Sequence, residues 1–176
     1  IDSTVWDATS FTKNRERLLE GDIAREFLAA VVAMARRKHL LSSEHFTVDG
    51  TQIEAWASQK SFQRKDGGDP PAQGGRQFRG EKRSNVPHAS KTDPDARLYR
   101  RTHHGEARLS YLGHVVMENR HGLAVAGCAT VADGFAERVA AEQLLEMIPA
   151  RRTITLGADK GYDARAFVEA LRRQGV

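Results

Sequence analysis

Two aspartates in this chain have the setting that metal chemistry uses. Asp49 lies in Phe46-Thr-Val-Asp-Gly-Thr51 and Asp159 in Leu156-Gly-Ala-Asp-Lys-Gly-Tyr-Asp163. Each is expected to close a short apolar β-like run where a glycine-containing turn begins. A strand delivers its last side chain in a fixed direction, and a glycine beside it lets backbone and ligand come close. Carboxylates held in this way suit one or two Mg²⁺ ions, which prefer hard oxygen donors and can neutralise a phosphate during in-line displacement. The plain alternative is a pair of turn residues, because Asp-Gly is a common turn dipeptide.

The flanking elements must bring the two together across 110 sequence positions. At the N-terminal end, Ser10 or Thr12 can cap a short helix carrying Leu18 and Leu19, which Gly21 stops. Asp22 then caps a second helix whose apolar face is Ile23, Phe27, Val31 and Met34. These helices suit either part of a helix-turn-helix DNA reader or packing against the following domain. From Glu44 to Ser58 the residues are strand formers. Leu109–Met117 and Leu123–Val131 are two strand-like runs around Glu118-Asn-Arg-His-Gly122, expected to pair antiparallel. Asp133 caps a helix bearing Phe135, Val139, Leu144, Leu145 and Ile148 that ends by Pro149. A strand holding Ile154 and Leu156 leads to Asp159, and Asp163 caps a last helix with Phe167, Val168 and Leu171 facing inward, closed by Gly175.

The order strand, long insertion, hairpin, helix, strand, helix describes an α/β fold with a mixed sheet. A right-handed crossover would set the last strand parallel to and beside the first, bringing Asp49 and Asp159 to one edge.

Between residues 60 and 108 the strand pattern lapses. This stretch holds six of the fifteen glycines, four of the five prolines, and twelve Lys and Arg against six Asp and Glu, within a chain of net charge +4. It is expected to be a mobile basic insertion, able to neutralise DNA phosphates or simply to be a solvated loop. Lys60, Arg64, Lys65, Arg76, Arg79, Lys82, Arg83, Lys91, Arg100 and Arg101 are the candidate phosphate contacts. His103 and His104 stand beside the last two, and Trp56 is expected to be a packing anchor rather than a base-stacking platform. The 176 residues and 40% hydrophobic content fit one main domain. The longest apolar stretch, residues 27–35, is far below the ~20 residues a bilayer needs, so no membrane partner is expected. The lone Cys128 excludes an internal disulfide and fits a small core residue in a reducing compartment. The opening Ile1 and the close after a helical pattern suggest a piece of something longer.

Several motifs together resemble the DDE transposases of bacterial insertion sequences, specifically the five-type branch of the insertion-sequence-four/five superfamily. They are Thr47-Val-Asp-Gly-Thr-Gln-Ile-Glu-Ala-Trp-Ala-Ser-Gln-Lys-Ser-Phe62, Phe78-Arg-Gly-Glu-Lys-Arg-Ser-Asn85, His88-Ala-Ser-Lys-Thr-Asp-Pro-Asp-Ala-Arg-Leu-Tyr99, Tyr111-Leu-Gly-His-Val-Val-Met-Glu-Asn-Arg120 and Gly157-Ala-Asp-Lys-Gly-Tyr-Asp163. Phe11-Thr-Lys-Asn-Arg-Glu-Arg-Leu-Leu19 is similar to the end of that family's N-terminal helical region. The resemblance implies residues 1–42 as the end of an N-terminal DNA-binding region. It implies residues 43–176 as part of an RNase H-like catalytic domain that carries the basic insertion 60–108.

Asp49 and Asp159 would then be the first two catalytic, metal-binding carboxylates, with Mg²⁺ or Mn²⁺ as cofactor. The implied partner is double-stranded DNA, both element ends and target. The implied assembly is a homo-oligomeric transposition complex at the nucleoid of a bacterial cytoplasm. The implied reaction cuts a phosphodiester at the element's end, after which the freed 3′-hydroxyl attacks target DNA. Family members add a third carboxylate, a Glu within Tyr-x₂-Arg-x₃-Glu on a later helix. That pattern does not occur here, and Glu169 lacks its companions, so weak metal binding and little or no turnover by this chain alone are expected. The alternatives are a non-enzymatic DNA-binding relic and a haloacid-dehalogenase-like phosphatase. The latter needs a nucleophilic aspartate two residues before Asp49, where this chain has Thr47.

Overall fold

The computed structural model describes residues 9–10, 14–15, 17, 21–67, 83–148 and 153–176. Its centre is a mixed sheet. Strand β1 (His45–Glu54) is flanked on one side by β5 (Arg108–Glu118), antiparallel, and on the other by β7 (Thr155–Gly157), parallel. The far edge of β5 is shared by β6 (Ala124–Val131) along residues 111–117 and by the short β4 (Arg97–Tyr99) along residues 108–110. β2 (Phe62–Arg64) and β3 (His88–Ser90) form a separate two-stranded ribbon. The expected crossover is present: the chain leaves β6, passes through helix α2 (Ala136–Glu146), and returns in β7 beside β1.

Alternation along the strands decides which face is covered. Phe46, Val48, Val116 and Ala126 point to one side. There they bury against Ala141, Leu144 and Leu145 of α2, and against Phe167 and Leu171 of helix α3 (Arg165–Arg173). The opposite side carries Asp49, Thr51, Ile53, Val115 and Met117 and is open to solvent. Cys128 sits half-buried on β6 against this core, as its type suggested, and burial raises its thiol pKa.

Several local expectations change. β1 does not end at Asp49: Gly50 is paired with His114, and the strand runs on to Glu54. The Asp-Gly pair would favour a turn in isolation, but ladder pairing with β5 overrides it. Asp133 does cap α2, its Oδ1 accepting from the N–H groups of Phe135 and Ala136, each at 2.7 Å. The buried stripe of that helix is Ala136, Ala140, Ala141, Leu144 and Leu145, whereas Phe135 and Val139 face solvent. Small residues let the helix sit close to the sheet. Asp163 ends a 3₁₀ turn and makes no cap bond to α3, whose N-cap position is Ala164. Asp22 likewise makes no side-chain cap to helix α1 (Ile23–Arg37). The apolar face of α1 is mostly open: Phe27 is 69% exposed and Ile23, Val31 and Met34 are also exposed, while the helix touches β6 and buries Ala35.

The described parts of the insertion are more ordered than their composition suggested. Phe62, Ala96 and Leu109 form a small core of their own, and β4 joins the main sheet. Trp56 is not a packing anchor; it is 88% exposed, with the Arg15 guanidinium 5.2 Å above its ring.

Candidate metal centre

The parallel register brings the two aspartates to one end of the sheet. His45 pairs with Thr155, Phe46 with Leu156 and Thr47 with Gly157. Asp49 lies two residues past Thr47 on β1, and Asp159 two past Gly157, beyond the end of β7 at the start of a 3₁₀ turn. Within the paired stretch, His45 Nδ1 and Thr155 Oγ1 lie 2.7 Å apart. β7 stops at Gly157, so among the described residues no strand lies along the edge of β1 beside Asp49.

Both carboxylates are exposed, and each is anchored by one oxygen. Asp49 Oδ1 accepts from the Gly50 N–H at 2.8 Å, and Asp159 Oδ1 from the Gly161 N–H at 2.8 Å. Asp159 thereby caps the 3₁₀ turn Lys160–Tyr162. The second oxygen of each makes no hydrogen bond among the described residues.

A third carboxylate, overlooked in the sequence, approaches from the helix layer. Glu137 is in the first turn of α2 and reaches down onto Gly50, where a methyl group would lie 2.9 Å from its Oε1. A side chain there would require the Glu137 carboxylate to move aside. The Glu137 pKa is raised, first by burial and then by the charges of Asp159 and Asp49, while Arg101 and Arg138 oppose the shift. Tyr162 is 3% exposed, and among the described residues its hydroxyl has no hydrogen-bond partner. Its pKa is raised by burial and then by Glu137, Asp159 and Asp49. The signal that could have found Glu137 is its spacing, since positions 137, 141 and 144 fall on one helical stripe with buried Ala141 and Leu144.

This donor set fits a divalent cation of the Mg²⁺ class: carboxylate oxygens only, an open strand edge, a glycine cradle and an orphaned buried hydroxyl. Among the described residues, no three His, Cys, Asp or Glu side chains already stand in ligating positions. Asp49 and Asp159 each commit one oxygen to the N–H of a following glycine, Gly50 and Gly161.

The expected phosphate contacts divide by place. Arg101 is exposed, and its charge is felt by both Glu137 and Tyr99, which puts it at the rim of the carboxylates. Arg100 is exposed and donates to the His103 carbonyl at 3.2 Å. Lys60, Arg64, Lys65, Arg83 and Lys91 gather around the β2–β3 ribbon. There Arg64 pairs with Asp66 at 2.8 Å, Lys65 Nζ donates to the Asn85 carbonyl, and Arg83 donates to the Gln59 carbonyl. Lys60 and Lys91 are exposed. Arg76, Arg79 and Lys82 lie outside the described residues. A concavity lined by Glu54, Gln59, Glu106 and Arg108 sits at the far end of β1, but its guanidinium is already paired with both glutamates. Among the described residues, no helix is long and apolar enough to cross a membrane. Compared with family models, curated proteins and solved structures, the chain matches none.

Proposed function

We propose that this chain carries an RNase H-like, metal-dependent site for phosphoryl transfer on DNA, of the kind used by DDE transposases. The observation that carries this reading is the return of β7 parallel to β1, which leads Asp159, two residues past its end, toward the edge of β1 that carries Asp49. The sheet order also supports it: β6, β5 and β1 antiparallel in succession, with β7 parallel beside β1, is the arrangement expected of such a fold. In this reading a bound Mg²⁺ or Mn²⁺ supplies neutralisation of charge developing on a phosphodiester. Asp49 and Asp159 hold the ion at the open strand edge. Arg101 at the rim draws a phosphate toward the carboxylates, and the basic residues around the β2–β3 ribbon bind flanking duplex. Element ends, target DNA and a homo-oligomeric complex remain part of the same proposal, as does low turnover by this chain alone.

Fluorescence anisotropy of a labelled duplex across a salt series tests it. Four phosphate contacts, from Arg101, Lys60, Lys65 and Lys91, give a log–log slope of about −3.6, and Arg101→Glu lowers its magnitude by about one. A flat salt dependence removes DNA as the partner.

A further inference from the structure

We propose that Glu137 is the third carboxylate of the divalent-cation site formed with Asp49 and Asp159, and that Gly50 is present to admit it. This rests on reading Asp49 and Asp159 as metal ligands. Three independent features point to it.

The first is steric. On the helix-covered face of β1, Phe46 and Val48 fill the space under the helices, and the next residue on that face is Gly50. Glu137 occupies the vacated volume so closely that any side chain at position 50 would meet its carboxylate, 2.9 Å from Oε1 and 3.2 Å from Cγ. A glycine within a strand weakens it, so its place here is explained by what approaches.

The second is topological. Asp49 belongs to the open face and Glu137 to the covered one, and a complete sheet would keep them apart. β7 ends at Gly157, level with Thr47, so at Asp49 the edge of β1 is bare and groups from both faces can meet around it. Asp159 arrives at this opening.

The third is the orphaned hydroxyl of Tyr162. A buried O–H without an acceptor costs about 1–3 kcal/mol. Among the described residues it has no partner, and the charges that act on it are Glu137, Asp159 and Asp49. A cation that draws these carboxylates inward brings an acceptor within its reach. Glu137 comes from the helix preceding β7, whereas the glutamate implied by the family resemblance lies beyond Asp159. The site proposed here is therefore completed within residues 49–162.

Isothermal titration of the metal-free 176-residue chain with Mn²⁺ tests this directly. The wild type is expected to bind, and Asp49→Asn, Asp159→Asn and Glu137→Gln each to weaken binding by about tenfold or more. Glu146→Gln, at the exposed end of the same helix, should leave affinity within about twofold. Gly50→Ala is the second probe, because its methyl displaces the Glu137 carboxylate; it too should weaken binding about tenfold. It decides the matter should Glu137→Gln fail to fold by circular dichroism. Unchanged affinity in Glu137→Gln or in folded Gly50→Ala, with loss in both aspartate variants, overturns the role of Glu137 and leaves the metal reading standing. No heat of binding by the wild type at about 10 mM Mn²⁺ overturns both.

Discussion

Replacing Glu118 by glutamine should destabilise the whole sheet, although Glu118 takes no part in the proposed chemistry. Its side chain is wholly buried at the end of β5. Its Oε2 accepts from the N–H groups of Ser42 at 2.9 Å and Arg120 at 3.0 Å, and its Oε1 from those of His121 at 2.6 Å and Leu123 at 3.4 Å. One carboxylate thus closes the β5–β6 turn and pins the segment leading into β1. Burial alone would raise its pKa, but the four backbone donors outweigh that and hold it below the ordinary glutamate value. Glutamine keeps one acceptor and turns an NH₂ group toward two of these N–H donors. Each unsatisfied buried donor costs about 1–3 kcal/mol, for about 4 kcal/mol together at mid-range. In a chain of this size that lowers Tm by roughly 8–16 °C. A group with a depressed folded pKa contributes stability above its unfolded pKa and loses it as pH falls through the folded value. The gap between wild type and Glu118→Gln should therefore be full at pH 7 and shrink below about pH 4. Differential scanning calorimetry at the two pH values measures it. A variant that melts within about 2 °C of wild type at pH 7 refutes the reasoning.

Two further outcomes separate structural from functional roles. Glu137 has a raised folded pKa, so wild-type stability falls as pH rises through that value; metal-free Glu137→Gln escapes this loss. Thermal melts in chelator should show the variant at least as stable as wild type at pH 8, with the difference vanishing below about pH 4, and a clearly less stable variant at pH 8 would make Glu137 an ordinary packing residue. On α1, Phe27→Ala should change stability by less than about 0.5 kcal/mol, because the ring is mostly exposed, whereas Leu144→Ala in the core should cost about 2–5 kcal/mol. Urea unfolding of both variants checks the contrast, and comparable losses would show that α1 is packed in solution.

Much of the sheet was legible because its signals are local and periodic. The β5–β6 hairpin was visible from two apolar runs around Gly122, which adopts a positive φ of 69°. The return of β7 beside β1 followed from handedness and connection length. What misled was where local chemistry and tertiary context disagree. Asp49-Gly50 has the composition of a turn, yet nine ladder pairs with β5 hold it mid-strand. Phe135 and Val139 look like core residues of α2, but alanines face the sheet because the helix must come close. α1 has a regular apolar stripe, and periodicity says nothing of whether a partner surface is present. Glu137 escaped notice for a related reason. A charged residue in the first turn of a helix reads as a favourable dipole interaction, and its closeness to Asp49 exists only once α2 lies over Gly50.

The central claim is that Asp49 and Asp159, 110 positions apart, serve one ion. Loading the chain with Fe²⁺ in place of Mg²⁺ and generating hydroxyl radicals cuts backbone close to the bound metal, and mass spectrometry locates the cuts. The expected result is paired cleavage around Asp49–Gly50 and around Asp159–Lys160, with both cuts lost together in Asp49→Asn and again in Asp159→Asn. Cleavage at one position that persists when the other aspartate is replaced would contradict a shared site.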